Sequence, residues 1–282
     1  MPEIERPIFV IGCNNSGTSP FTKALQSHRQ ICGPPPMENT DDFGQRHPME
    51  IIDLPGMPSI VRRQLGECSF RALGCAEFKG IDYVTEEQCT PAIAQEIRLA
   101  LGRFTQPGKR FLGKNPSNVL RARLYQAVFL DADFIGIYRN GYAVAEGTRR
   151  KRLLDPERLQ FAGLNITITQ AATNWNNNNT VMLSMATTYL RRCLLVAYEN
   201  LVEDPASTFK NVLDFLGLPT NGFQAPCLKK DLNKIQIERL TREEISHVTE
   251  AAWPMLRHFD YRILSPEPDR EKIMTAGLDR KA

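Results

Sequence analysis

The chain has 282 residues, with 42% apolar, 24% charged and a net charge of +3. That balance predicts a globular chain, long enough for one large α/β domain or two small ones, and sets aside disorder and collagen-like repeats. The mild positive charge suits an anionic cofactor or substrate and does not call for nucleic acid.

In chain order, the first apolar run is Pro7-Ile8-Phe9-Val10-Ile11, a predicted strand over about 6–12. It leads into Gly12-Cys13-Asn14-Asn15-Ser16-Gly17-Thr18-Ser19 and then a helical pattern from Pro20 to His28. Strand, glycine loop and helix in that order form a phosphate cradle, but the triphosphate version G-x-x-x-x-G-K-[ST] has a lysine where this chain has Thr18. Both glycines and the final hydroxyl remain, so the loop points to a phosphate-like group other than an ATP tail. A short strand is expected near Gln30-Ile31-Cys32, and residues 33–70 read as an irregular segment rich in Pro, Gly and charge, a kind of segment that is often functional.

Residues 85–103 read as a helix opened by Thr85. Arg110-Phe111-Leu112-Gly113-Lys114 reads as a strand ending on a lysine, and 117–129 as a helix. Phe134-Ile135-Gly136-Ile137-Tyr138 is an apolar run that stops at Arg139, as in a strand buried on both faces. Asn140-Gly141 turns into a helix to about 152, carrying the basic run Arg149-Arg150-Lys151-Arg152, which suits a solvated helix end or a binding role equally. A long helix is expected over 165–191, then a strand at Leu194-Leu195-Val196-Ala197-Tyr198, and helices near 205–216 and 241–258. No linker divides the pattern, which predicts one domain over 1–282, with a helical closing region over about 220–265. The fold class is α/β, P-loop-like, a doubly wound parallel sheet flanked by helices. Ligands of such sheets bind outside the carboxyl ends of the strands. The residues there are the loop, Lys114, Arg139 and Tyr198.

These segments resemble the sulfotransferases that use 3′-phosphoadenosine 5′-phosphosulfate (PAPS). "PIFVIGCNNSGTSPFTKAL" (7–25), "FLGKNPSNVLRARLYQAVFLDADFIGIYRNGYAVAEG" (111–147) and "LLVAYENLVEDPASTFKNVLDFLGLP" (194–219) match the family's loop, its lysine-to-arginine segment and its Y-E-x-L-x-x-D-P segment, and 240–261 its closing helix. Pro20 and Lys114-Asn115-Pro116 stand where the cytosolic aryl enzymes have a tryptophan and a catalytic histidine, so the chain is more similar to the Golgi tyrosylprotein and bacterial carbohydrate-type enzymes.

The resemblance implies PAPS as the sulfuryl donor, no metal, and an acceptor hydroxyl on a small molecule or carbohydrate. It implies that Asn15, Ser16, Gly17, Thr18 and Ser19 hold the 5′-phosphosulfate, with the helix N-terminus favouring the anion. Arg139 is implied at the 3′-phosphate, Tyr198 at the adenine, Lys114 at the leaving oxygen and Glu38 as general base, among the loop alternatives Asp41, Asp42 and His47. The family's serine eight residues after the arginine is Gly147 here, leaving Thr148 or a basic residue in 149–152 to replace it. Asn15 stands where related enzymes have an arginine, supplying an amide but no charge. Trp175 with Asn176 to Asn179 suits either an acceptor pocket or core packing.

Two rival readings are a non-catalytic binder of PAPS or adenosine bisphosphate, and a kinase-type transferase with a degenerate loop. Seven cysteines without ligand spacing predict reduced thiols in a cytoplasmic protein, and the polar start and absence of an 18-residue apolar run predict no leader or membrane span. Neither the acceptor's identity nor the oligomeric state is written in the sequence.

Overall fold

Five largely apolar segments lie side by side as parallel strands, buried at the centre of the sheet and half-buried over Cys193–Leu195 at one edge. The computed structural model describes residues 3–40, 46–48, 50–51, 54–61, 83–154, 166–226 and 228–264. Strands β1 (Ile8–Gly12), β2 (Ile31–Cys32), β5 (Arg110–Lys114), β6 (Asp133–Tyr138) and β7 (Cys193–Ala197) form a sheet in the order β2-β5-β1-β6-β7. Every pairing is parallel, with Val10 opposite Lys114, Gly12 opposite Ile137 and Tyr138 opposite Ala197. The chain order crosses over at β1, so the loop after β1 sits at a switch point of the sheet.

Side-chain alternation sends each strand's residues to two cores. Phe9, Ile11, Phe111 and Phe134 face Tyr125, Val128 and Phe129, with the Phe9 and Tyr125 rings stacked at 4.7 Å. Ile8, Val10, Leu112, Ile135 and Val196 face Phe21, Leu25, Phe209 and Leu213. A third cluster, around Tyr142, Trp175, Val248 and Leu256, joins four helices beyond the sheet.

Several of the helices start at a side-chain cap. The first, α1 (Thr18–Gln26), follows the glycine loop. Next, α2 (Pro91–Gly102) begins at Thr90, whose hydroxyl accepts from Ile93 N at 3.3 Å, with Pro91 in the first turn. The expected helix over 85–103 is therefore split, with a 3₁₀ turn at Glu86–Gln88 before the cap. The stretch expected as helix from 117 opens as a 3₁₀ turn, Pro116–Arg121, and only then becomes α3 (Ala122–Val128). After β6 come α4 (Gly141–Leu154) and α5 (Ile168–Ser184), the latter opened by a Thr167–Gln170 capping box and closed by a π-helical turn, Met185–Tyr189. The remaining helices are α6 (Tyr198–Glu203), α7 (Pro205–Leu216), α8 (Leu232–Ile237) and α9 (Arg242–His258). Asp204 caps α7 and Gly217 ends it in the left-handed region at φ 69°.

The segment 33–70, expected as irregular, contains an antiparallel pair, β3 (Pro36–Thr40) with β4 (Arg46–Pro48). Pro34 and Pro35 hold the lead-in extended, and extended backbone pairs readily. Cys68, Cys75 and Cys227 lie outside the described residues, as do Asp41, Asp42 and Asn165, while Cys13, Cys32, Cys89 and Cys193 are free thiols. Among the described residues, no helix is long and apolar enough to cross a membrane.

At the amino ends of the strands, the fully buried Asp133 of β6 gathers three arginines. Its Oδ2 lies 3.0 Å from Arg6 and 2.5 Å from Arg110, and its Oδ1 accepts from Arg192. The carboxylate thereby ties the leads into β1, β5 and β7 to the start of β6.

Because Phe9 is fully buried at the centre of the sheet, Phe9→Ala is expected to cost about 3–5 kcal/mol. Leu130→Ala, at a side chain that is 60% exposed, should stay within about 0.5 kcal/mol of the parent. Urea unfolding of the two variants checks the contrast.

Candidate active site

All five parallel strands end on one rim, and the loop after β1 lies at its centre. Gly12 runs at φ 150° and Gly17 at φ 92°; a Cβ on Gly12 would meet Ile137 O at 2.5 Å, and one on Gly17 would meet the Tyr198 ring at 2.5 Å. Asn15 is also left-handed, at φ 66°, a region that asparagine tolerates better than most side chains. The loop closes on itself through Ser16 N to Cys13 O at 3.2 Å, and α1 begins at Thr18 with no side chain capping its N-terminus. First-turn N–H groups have no partner within a helix. Ser16 is fully buried, and its hydroxyl has no hydrogen-bond partner among the described residues. A buried hydroxyl without a partner costs about 1–3 kcal/mol, which a ligand oxygen would recover. Thr18 is buried and Ser19 half-buried in the same turn. Cys13 is no nucleophile here: burial pushes its thiol up to about 12, so it remains protonated.

Arg139, the residue after β6, is 3% exposed. Its Nε donates to Asn233 Oδ1 at 2.6 Å, its Nη1 to Asn15 O at 2.9 Å and its Nη2 to Gln236 Oε1. The guanidinium also lies over the Tyr198 ring, 4.3 Å from the centroid. All three acceptors are neutral. Burial lowers the Arg139 pKa, and the nearby Tyr198 and Glu199 oppose that shift. Burial likewise raises the Tyr198 phenol. Glu199 does not touch the guanidinium. It is spent on Asn140 N at 2.9 Å, Asn233 Nδ2 at 2.8 Å and the Tyr261 hydroxyl at 2.9 Å, and so holds in place the amide that holds Arg139.

Lys114 ends β5 on the same rim, 4% exposed, with its Nζ 2.8 Å from Glu50 Oε1. The Asn115 amide donates to Glu50 Oε2.

The structure therefore brings Asn15, Ser16, Gly17, Thr18, Ser19, Arg139, Thr148 and Tyr198 together, and sets Lys114 two strand ends along from Arg139. Asn15 turns its amide to Thr148, Nδ2 to Oγ1 at 2.8 Å, so it braces the loop to α4. A side chain at Gly147 would displace the Gln236 amide, whose Nε2 stands 2.2 Å from the position of a Cβ there. In the basic run, Arg149 pairs with Glu244, and Arg150 with Glu146 at 3.3 Å, while the side chains of 151 and 152 lie outside the described residues. Glu38 sits on β3, with its side chain outside the described residues. Trp175 is core: fully buried, with its indole donating to Arg139 O at 3.0 Å.

Sequence reasoning missed Glu50, Glu199, Asn233 and Gln236. Asn233 and Gln236 share one face of α8 at i, i+3, and Glu199 follows the tyrosine already singled out. Glu50 carried no signal among the many acids of its segment.

Comparison with known proteins places this rim in context. Residues 7–222 match the model of the sulfotransferase family. The protein-tyrosine sulfotransferase of Drosophila melanogaster is 25% identical over 140 residues, 49% of this chain and 27% of that enzyme, so the match spans about a quarter of the relative's length. A sulfotransferase from Mycobacterium avium superposes with a TM-score of 0.59 at 12% identity, covering 94% of this chain and 79% of that one. One from Mycobacterium tuberculosis gives 0.56 at 17% identity, covering 88% and 76%. At these identities the likeness to the two solved structures is one of fold.

Gly17→Ala adds a methyl against the Tyr198 ring at a left-handed position. It is expected to cost at least ~1–2 kcal/mol, the left-handed penalty alone. Combining it with Tyr198→Ala should recover the part due to the clash and leave the part due to φ, as a thermal-unfolding double-mutant cycle would show.

Proposed function

This chain belongs to the sulfotransferase family, and from that premise we propose that it transfers a sulfuryl group from PAPS to an acceptor hydroxyl of a small molecule or carbohydrate. The observation that carries the donor assignment is Arg139. A buried guanidinium whose three hydrogen-bond acceptors are all neutral, set against a loop with an unpartnered buried hydroxyl, is a site prepared for an anion. Tyr198, whose ring lies under the Arg139 guanidinium, is assigned to the adenine.

The donor, when bound, supplies the sulfuryl group and departs as adenosine 3′,5′-bisphosphate. The chain's residues divide the remaining work. Ser16, Gly17, Thr18 and Ser19 with the α1 N-terminus hold the 5′ end by backbone N–H and hydroxyl donors. Asn15 and Thr148 brace that loop, and Arg139 holds the 3′-phosphate. Lys114 places its ammonium where negative charge gathers on the leaving oxygen, the usual largest source of such stabilisation. Glu38 takes the acceptor's proton, a role that asks for hydrogen-bond reach. By the same resemblance the reaction is expected to run without a metal. The single-domain, cytoplasmic setting belongs to the same proposal, in keeping with the four free thiols among the described residues.

The test is labelled-sulfate PAPS with a panel of hydroxylated acceptors and no divalent metal. Adenosine 3′,5′-bisphosphate should stabilise the fold, by about 2.7 kcal/mol at a hundredfold excess over its Kd. Absence of stabilisation rejects the donor assignment, and binding without transfer favours the non-catalytic binder. Magnesium-dependent ATP consumption instead would restore the kinase reading.

Two variants separate the roles. Glu38→Gln should abolish transfer and leave bisphosphate binding intact. Arg139→Ala should weaken that binding about 10- to 100-fold, the worth of charge-assisted hydrogen bonds. Full activity in Glu38→Gln would show that another group is the base.

A further inference from the structure

Ile51 approaches β5 because the strand leaves it a gap. Gly113 has no side chain, and a Cβ there would stand 2.8 Å from Ile51 Cγ2. Ile51, Leu54, Met57 and Val61 are buried in the same core as Phe9 and Phe111. Their burial fixes the backbone beside the end of β5 and delivers the preceding residue, Glu50, to Lys114. One carboxylate oxygen takes the Lys114 ammonium at 2.8 Å, and the other takes the Asn115 amide. The lysine is 4% exposed and the Glu50 side chain 17%, so the pair has little water to share.

From this geometry we propose that Glu50 is the positioning residue for Lys114, a role that rests on the sulfuryl-transfer reading above. A lysine stem is flexible and its ammonium is a point charge without a built-in direction. Inside a site with little water, that charge needs both a counter-charge and a fixed place. Glu50 supplies both. Its two-oxygen grip spans consecutive residues, Lys114 and Asn115, which fixes the carboxylate to the strand end rather than to the lysine alone. A carboxylate already accepting from an ammonium and an amide suits holding a cation better than taking a proton from an acceptor hydroxyl. Glu50 therefore acts through Lys114, and the base role stays with another group.

The experiment compares wild type, Glu50→Gln, Glu50→Asp, Lys114→Met and the Glu50→Gln/Lys114→Met pair in the full chain. Three quantities are read: kcat and KM for PAPS, the Kd of adenosine 3′,5′-bisphosphate by calorimetry, and the unfolding free energy without ligand. Glu50→Gln is expected to lower kcat by about 10- to 100-fold, the scale of a group misplaced by an ångström. KM and the bisphosphate Kd should stay within about threefold, since uniform binding is not what is removed. Glu50→Asp should recover part of kcat. Glu50→Gln should destabilise the wild type more than the Lys114→Met background, because only the former is left with an unpaired buried charge.

An unchanged kcat in Glu50→Gln, or the same loss of stability with and without Lys114, overturns the role of Glu50 while leaving the transfer reading intact. So does a loss of kcat that comes with loss of bisphosphate binding. A wild type that neither binds the bisphosphate nor transfers sulfate overturns both readings together.

Discussion

Burying the charge of Arg139 is the constraint around which the rest of the site is arranged. A guanidinium removed from water must have its N–H groups met, and here three of the five are met by oxygens from three separate places: the glycine loop and two positions of α8. Each of those oxygens is itself held. Asn233 is fixed by Glu199, Gln236 fits because residue 147 is a glycine, and the Asn15 backbone is locked by the left-handed turn and the Thr148 bond. Satisfying one cation thus ties β6, the loop after β1, α4, α6 and α8 into a single arrangement. The same network gives a place to the two residues that differ from what the resemblance leads one to expect: Asn15 contributes a brace and a carbonyl, and Gly147 leaves space for the amide of Gln236.

The parallel sheet does the rest. Because all strands run one way, their carboxyl ends share a rim, and residues far apart in the chain meet there without any loop having to carry them. A loop whose lysine position is filled by Thr18 is therefore not deprived of cations. Lys114 and Arg139 arrive from the neighbouring strands β5 and β6, on either side of β1. At the opposite end of the sheet, Asp133 draws the strand starts together with three arginines, so one end is fixed by charge pairing while the other carries the glycine loop, Lys114 and Arg139.

The strands and their parallel arrangement were legible because apolar runs that stop at Lys114, Arg139 and Tyr198 have one economical explanation, buried parallel strands, although Tyr198, expected to end its strand, is the first residue of α6. Helix α7 was read at its bounds because Asp204-Pro205 and Gly217 are unambiguous start and stop signals. Where local signals compete, boundaries moved. Thr85 and Thr90 both look like caps, and Pro91 decides for the second. The hairpin β3–β4 escaped notice because proline-rich, charged sequence has no period to count, yet extended backbone still pairs. Trp175 beside four asparagines allowed two readings, and only its full burial and its bond to the Arg139 carbonyl select the core.

By itself the sequence determined the class of fold, the loop, and which residues end the strands, because these follow from local hydrophobic period and glycine placement. Only the tertiary structure decided what those residues touch. Glu50 lies 64 residues from Lys114, and Gln236 lies 97 from Arg139. No spacing rule links positions so far apart; they meet because Gly113 and Gly147 leave gaps that a distant side chain fills, and complementarity of that kind exists only once the chain has packed.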